Sequence, residues 1–224
     1  MNRSLCLLAL VALLGITMPV YGTLVPDKRP WFCHGLDCPK YKVVETTDAY
    51  EVREYKEAVW ATTTVETYNY AMASSIGFKR LFDYIGGSNK DEVKIPMTAP
   101  VLADVEPSQG PFCKQTFTIS FFVPFHFHDA PPSPNNPDIT ITCTPAFTAY
   151  VSESGGFKLD DYSLGKMASA LGDALDADGH EYEDDHYYVA GYDPPFRFKD
   201  RHTEIWFKAK TDDDSVISGA IAEE

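Results

Sequence analysis

From Tyr41 to Val65 apolar and polar residues alternate, interrupted by turns near Thr46–Asp48 and Lys56–Glu57. That period of two predicts short antiparallel strands. The period then lengthens: between Tyr68 and Ile85 the residues Ala71, Phe78, Phe82 and Ile85 fall at helical spacing with Ser75, and Gly86-Gly87 stops the helix. Val93–Val105 and Thr116–Val123 read as strands, the second with Phe117, Ile119, Phe121 and Val123 on one face. A loop carrying Pro131, Pro132, Pro134 and Pro137 separates this half from the next. The second half predicts strands at Asp138–Cys143 and Phe147–Ser152, then a helix at Leu159–Leu175 with apolar Leu164, Met167, Ala168, Leu171 and Leu175. Closing strands follow at Tyr187–Tyr192 and Glu204–Lys208.

Strands, helix, strands, given twice, predicts an α+β fold. It is a pseudo-twofold repeat of antiparallel strands and one helix, forming a curved barrel-like sheet with two helices on the outside. The nearest echo between halves is AYEV at Ala49–Val52 and AYVS at Ala149–Ser152. The first helix is apolar over more of its circumference than one packing face needs. Ala71, Ser75, Phe78 and Phe82 continue around through Ser74, Leu81 and Tyr84, nearly half the circumference, where a stripe of about 100° suffices. The surplus can face a ligand or a second packing partner.

The ends of the chain set compartment and domain limits. Arg3, the apolar run Leu5–Ile16, Pro19 and Gly22 form a secretory signal pattern, with removal expected after Gly22. The run is shorter than the roughly 20 residues that span a bilayer, so no membrane span is expected. The domain is placed at 23–210 and an acidic, mobile tail at 211–224. A signal implies a secreted, extracellular protein, and removing Cys6 leaves Cys33, Cys38, Cys113 and Cys143 for an oxidising compartment. Four cysteines allow three pairings; proximity favours Cys33–Cys38, leaving Cys113 with Cys143. With 33 acidic and 19 basic residues and a net charge of −14, nucleic acid is excluded as a partner.

A local cationic patch nevertheless stands in Arg197–His202, where Arg197, Lys199 and Arg201 alternate behind Pro194-Pro195. Pro194-Pro195 stiffens the entry to it. His126, His128 and Asp129 offer a loop tip or a divalent-metal set, and His180, His186 and His202 read as exposed. No nucleophile elbow, HExxH or phosphate loop occurs, and acid pairs such as Asp160-Asp161 and Asp184-Asp185 diverge because they are adjacent.

Three stretches, Ala49–Thr63 (AYEVREYKEAVWATT), Lys94–Val101 (KIPMTAPV) and Tyr187–Phe207 (YYVAGYDPPFRFKDRHTEIWF), carry a resemblance to the SOUL heme-binding family over Cys38 to Lys210. The resemblance implies the fold above and binding of heme or another tetrapyrrole without catalysis or a resident metal. The implied site is a shallow apolar groove beside the first helix, whose family positions match Ser75, Phe78 and Phe82, with Ala71 on the same arc. Where relatives carry arginine and methionines this chain has Ser75, Phe78 and Phe82, so apolar contact is kept and a propionate anchor lost. Arg197, standing where a relative has lysine, is the replacement anchor; its planar fork suits a carboxylate. Glu54 occupies the position of a proposed iron-binding histidine, so no histidine ligand is expected there. Two other readings use the same groove: a module that takes an amphipathic helix of a partner protein, and a small-molecule hydrolase with Glu54 as base.

Overall fold

The computed structural model describes residues 29–108, 110, 113–156, 160–194 and 196–210, and among these it has nine strands and two α-helices. The predicted signal segment and acidic tail lie outside the described residues. In order the elements are β1 (Tyr41–Thr46), β2 (Glu51–Tyr55), β3 (Ala58–Thr67), α1 (Tyr70–Ile85), β4 (Val101–Glu106), β5 (Gln115–Phe122), β6 (Thr140–Thr144), β7 (Phe147–Ser154), α2 (Asp161–Asp178), β8 (Tyr187–Gly191) and β9 (Thr203–Lys208). The predicted strand at Val93 begins only at Val101, since Pro96 and Pro100 lack the N–H a ladder needs.

All neighbouring strands are antiparallel, in the order β1-β2-β7-β9-β8-β4-β5-β3-β6, and the sheet curls into a half-barrel. The expected α+β fold and its doubled plan are present. The second half, β6-β7-α2-β8-β9, repeats β2-β3-α1-β4-β5, with the pseudo-twofold axis between β4 and β8. Each half lends its first strand to the other: β2 pairs with β7, and β6 pairs with β3. The echo between AYEV and AYVS is therefore not a repeat equivalence. Those segments are paired neighbours, with Val52 opposite Tyr150 and Glu51 opposite Val151.

Both helices lie on one side of the sheet, α1 over β3 and β5 and α2 over β7 and β9. Asn69 caps α1 by accepting from the Met72 N–H at 2.9 Å, and Asp160 caps α2 through the Ser163 N–H at 2.9 Å. The two N-termini are tied, because the Tyr70 N–H donates to Asp161 Oδ1 at 2.9 Å. The buried stripe of α1 is Ala73, Gly77, Leu81, Tyr84 and Ile85, not the Ala71–Phe78–Phe82 set chosen from spacing alone. Gly77 explains the choice. A Cβ there would stand 2.5 Å from Ile119 Cγ1 on β5, so the helix lies closer to the sheet than any side chain at this position permits.

The other side of the sheet has its own core of Phe32, Cys33, Cys38, Tyr55, Trp60, Leu102, Tyr188, Tyr192 and Trp206, with no helix residue in it. A 3-10 turn at Trp31–Cys33 begins the segment that closes part of this face, held by the Cys33–Cys38 disulfide. The Cys113–Cys143 bridge is absent, and both residues are exposed and free. Cys143 sits opposite Val59 near one end of β3, whereas Cys113 precedes Gln115, which faces Thr67 at the other end. Eight residues of strand separate those ends by about 26 Å, far beyond disulfide reach. Peptide mapping after alkylation without reduction is expected to recover Cys33 joined to Cys38 and alkylated Cys113 and Cys143; a Cys113–Cys143 crosslink would contradict this register.

Candidate ligand-binding site

Residues 71, 75, 78 and 82 are separated by four, three and four positions, the spacing that aligns side chains along one helix face. They form one flank of α1, beside the buried stripe. Ala71 and Ser75 are exposed, Phe78 is half-buried, and Phe82 is 52% exposed. The rings of Phe78 and Phe82 stack at 5.5 Å, 15° from parallel, and Phe78 packs edge-on against Phe121 of β5 at 5.3 Å. Met72 and Ile76 project from the other flank, where Arg80 bonds Thr63 Oγ1 at 3.1 Å and meets Asp138 at 3.0 Å. The predicted flank thus faces away from β3 and β6, over the middle of the sheet between the two helices.

Strand register relates this flank to the cationic turn. Phe121 pairs with Val101, Val101 with Gly191, and Gly191 with Thr203. The turn of residues 192–202 leaves the sheet from this row, about two strand spacings, or 10 Å, from the strand on which Phe78 packs. Within the turn, Arg197 Nε donates to the Lys199 carbonyl at 3.0 Å and lies 3.2 Å from Asp193 Oδ1. Asp193 is itself anchored, accepting from the His202 N–H at 2.6 Å and paired with His34 Nε2 at 2.9 Å. Among the described residues the two terminal nitrogens of Arg197 have no partner, so the guanidinium is fixed by one edge with donors left over. Arg201 plays a different part: it is 8% exposed and bonds the carbonyls of Pro194 and Arg197, which shapes the turn.

Glu54 is exposed on β2, opposite Lys42 and Thr148. Five strand steps separate β2 from β5, so Glu54 does not share the α1 flank, and a hydrolytic base there is ruled out for this groove. His126 and His128 lie at and after a short 3-10 turn, His128 Nε2 bonding the Val123 carbonyl at 2.7 Å, and the described residues include no cluster suited to a metal. His180 packs on Tyr50 and Tyr150, a ring contact rather than free exposure.

His202, expected at the surface, is 4% exposed and stacks face to face on Phe32 at 3.9 Å. It belongs to a polar network on the helix-free side of the sheet that the sequence did not reveal. Glu204 is wholly buried there. Its Oε1 accepts from Arg53 Nη1 at 2.9 Å and pairs with His202 Nε2 at 2.7 Å; its Oε2 accepts from the Tyr192 hydroxyl at 2.7 Å and Trp206 Nε1 at 2.8 Å. Burial alone would raise the Glu204 carboxyl, yet the His202 hydrogen bond and the Arg53 charge hold it below the usual carboxylate range. Arg53, 3% exposed, also donates to Glu51 Oε2 at 2.8 Å and lies 4.5 Å from the Tyr41 ring centre. With both carboxylate oxygens of Glu204 engaged twice over, the network is architectural. Its sequence trace is the period-two placement of Arg53 with Tyr55 and of Glu204 with Trp206.

Comparison with known proteins covers most of this architecture. The family model described as SOUL heme-binding protein matches residues 36–208. Heme-binding protein 2 of Mus musculus is 34% identical over 181 residues, 79% of this chain and 88% of the mouse protein. Heme-binding protein 2 of Homo sapiens is 36% identical over 164 residues, 73% of this chain and 80% of the human protein. Among solved structures, the EcmrR C-terminal domain superposes with a TM-score of 0.55 at 15% identity, covering 76% of this chain and 98% of that domain; this likeness concerns the fold alone.

Proposed function

The chain belongs to the SOUL heme-binding protein family, and from that membership we propose that it binds heme or a related tetrapyrrole along the exposed flank of α1, as a secreted, non-catalytic carrier or scavenger. The observation that carries the placement is the stacked, solvent-facing pair Phe78 and Phe82 at the same end of the sheet as the half-tethered Arg197. Aromatic faces suit a flat macrocycle, and a guanidinium with free donors suits its propionates. The secreted site of action rests on the N-terminal apolar run and on the Cys33–Cys38 bridge.

Magnitudes limit the affinity. Removing on the order of 300 Å² of apolar surface from water contributes roughly 7 kcal/mol, against an association cost of about 4–15 kcal/mol. Apolar contact is therefore insufficient alone, and the charge-assisted bonds of Arg197 decide the outcome. Arg197→Ala is expected to weaken hemin and iron-free protoporphyrin alike, by about 1.5–3 kcal/mol. Absorbance titration of both ligands tests this. Wild-type protein that holds hemin a hundredfold tighter than protoporphyrin would demand an iron ligand and overturn the reading.

A further inference from the structure

Phe198, Phe196 and Trp31 are 78%, 75% and 62% exposed, the three highest values among the described Trp, Phe, Leu, Ile, Met and Val side chains. Two turns that dock on each other carry them. Phe196 and Phe198 belong to the turn of residues 192–202, and Trp31 to the 3-10 turn Trp31–Cys33. His34 Nε2 pairs with Asp193 at 2.9 Å, Phe32 stacks on His202 at 3.9 Å, and the Trp31 ring meets that of His202 edge-on at 5.7 Å. We propose that these docked turns form a membrane-contact site. Phe196, Phe198 and Trp31 insert at the headgroup level of a neutral phosphocholine bilayer, and Arg197 and Lys199 lie against its phosphates.

The exposure of the rings is not that of a fraying loop. The Arg197 N–H donates to the Pro194 carbonyl at 3.1 Å, and Arg201, 8% exposed, donates to the carbonyls of Pro194 and Arg197 at 3.0 and 2.8 Å. The Arg197 side chain ties the Lys199 carbonyl to Asp193, which is anchored in turn by the His202 N–H. A backbone held at this many points presents its aromatic side chains in fixed places, so inserting them costs little ordering.

Size and charge select the occupant. A fully buried aromatic residue covers 150–250 Å², so at these exposures the three rings offer roughly 300–550 Å². A stable protein interface takes about 800 Å² from each partner. A bilayer has no such threshold, because a few aromatic rings at headgroup level, with Arg or Lys beside them, suffice for contact. Residues 196–199 read Phe-Arg-Phe-Lys, which interleaves the apolar and cationic groups such a surface receives. Asp193 is already engaged by His34 and Arg197, whereas Glu153, near His202, is 73% exposed. With that carboxylate close by and a net charge of −14 on the chain, an anionic leaflet repels the protein, and a neutral one does not.

The test uses a built-in reporter. Of the three tryptophans, Trp60 and Trp206 are 4% and 1% exposed, so a change of solvent around an exposed indole concerns Trp31. Phosphatidylcholine vesicles titrated into the intact protein, without tetrapyrrole, should shift Trp31 emission to the blue, and lipid brominated along its acyl chains should quench it. The double variant Phe196→Ser with Phe198→Ser is expected to weaken vesicle binding at least tenfold with native circular dichroism; Ile76→Asp should bind as wild type does. Phosphatidylserine mixed into the vesicles should weaken binding at low salt. Absence of the blue shift, a double variant that binds like wild type, or tighter binding to the phosphatidylserine vesicles would each overturn the proposal. Should the double variant fail to fold, the wild-type protein still decides, since emission that brominated lipid leaves unquenched would show that Trp31 stays in water. The site rests on nothing assumed about the α1 flank, and its failure would leave the hemin titrations standing.

Discussion

Glu204→Ala is expected to destabilise the protein by about 3–5 kcal/mol, the cost of breaking a buried ion pair from one side. The substitution leaves Arg53, 3% exposed, without its main counter-charge, and strips the acceptor from Tyr192, Trp206 and His202 in a single step. Arg53 keeps Glu51, but that carboxylate is 35% exposed and a weaker partner. Replacing both members, Arg53→Met with Glu204→Leu, is expected to cost far less than the two single changes together, because no uncompensated charge remains. Urea unfolding of the four proteins measures all of this. A Glu204→Ala protein within about 1 kcal/mol of wild type would show that water or another donor set replaces the network, and the pair would lose its architectural role.

Phe82→Asp is expected to weaken hemin and protoporphyrin at least a hundredfold, about 2.7 kcal/mol. Phe82 is 52% exposed and stacks only on Phe78 among the described rings, so the fold has little stake in it. In the bound state, however, the new carboxylate would lie against an apolar macrocycle and lose its water. Arg80 is already held by Thr63 and Asp138, and Lys79 by Asp83 at 2.7 Å, so the neighbouring cations are occupied. Native circular dichroism with lost binding supports the α1 flank. Undiminished binding moves the tetrapyrrole elsewhere. Ile76→Asp, on the opposite flank and 40% exposed, is the matched control and should bind as wild type does.

How much was legible beforehand depends on whether an element has one buried face or two. Helix α1 has one, so a period near 3.6 exposed the unusual width of its apolar arc, and the family resemblance placed Ser75, Phe78 and Phe82 within it. Which part of that arc is buried was missed, because the residue in closest contact with the sheet is Gly77, and a glycine carries no hydrophobic signal. Strands β2, β8 and β9 are covered on both faces, and β9 is buried from Thr203 through Phe207. Alternation then vanishes, and Glu204 reads as one charge at a strand start when it is the centre of a core. The misjudged bridge had a different cause. Proximity in sequence paired Cys113 with Cys143 by elimination, whereas their separation follows from which end of β3 each neighbouring strand meets.

The exchange of first strands between the halves bears on how this chain can be assembled. Neither half contains the partner for the outer edge of its own long strand: β3 waits for β6, and β7 waits for β2, a segment about a hundred positions away. The sheet therefore closes only when distant parts of the chain have met, which raises contact order and slows folding relative to local hairpins. A ribosome that has released the first half holds a chain whose β3 edge is bare and whose β2 has only β1 beside it. Such an edge is complementary to the β6 of any copy, not only its own, so the geometry that makes the finished monomer self-sufficient is also a route to exchanged dimers when two unfinished chains are close together.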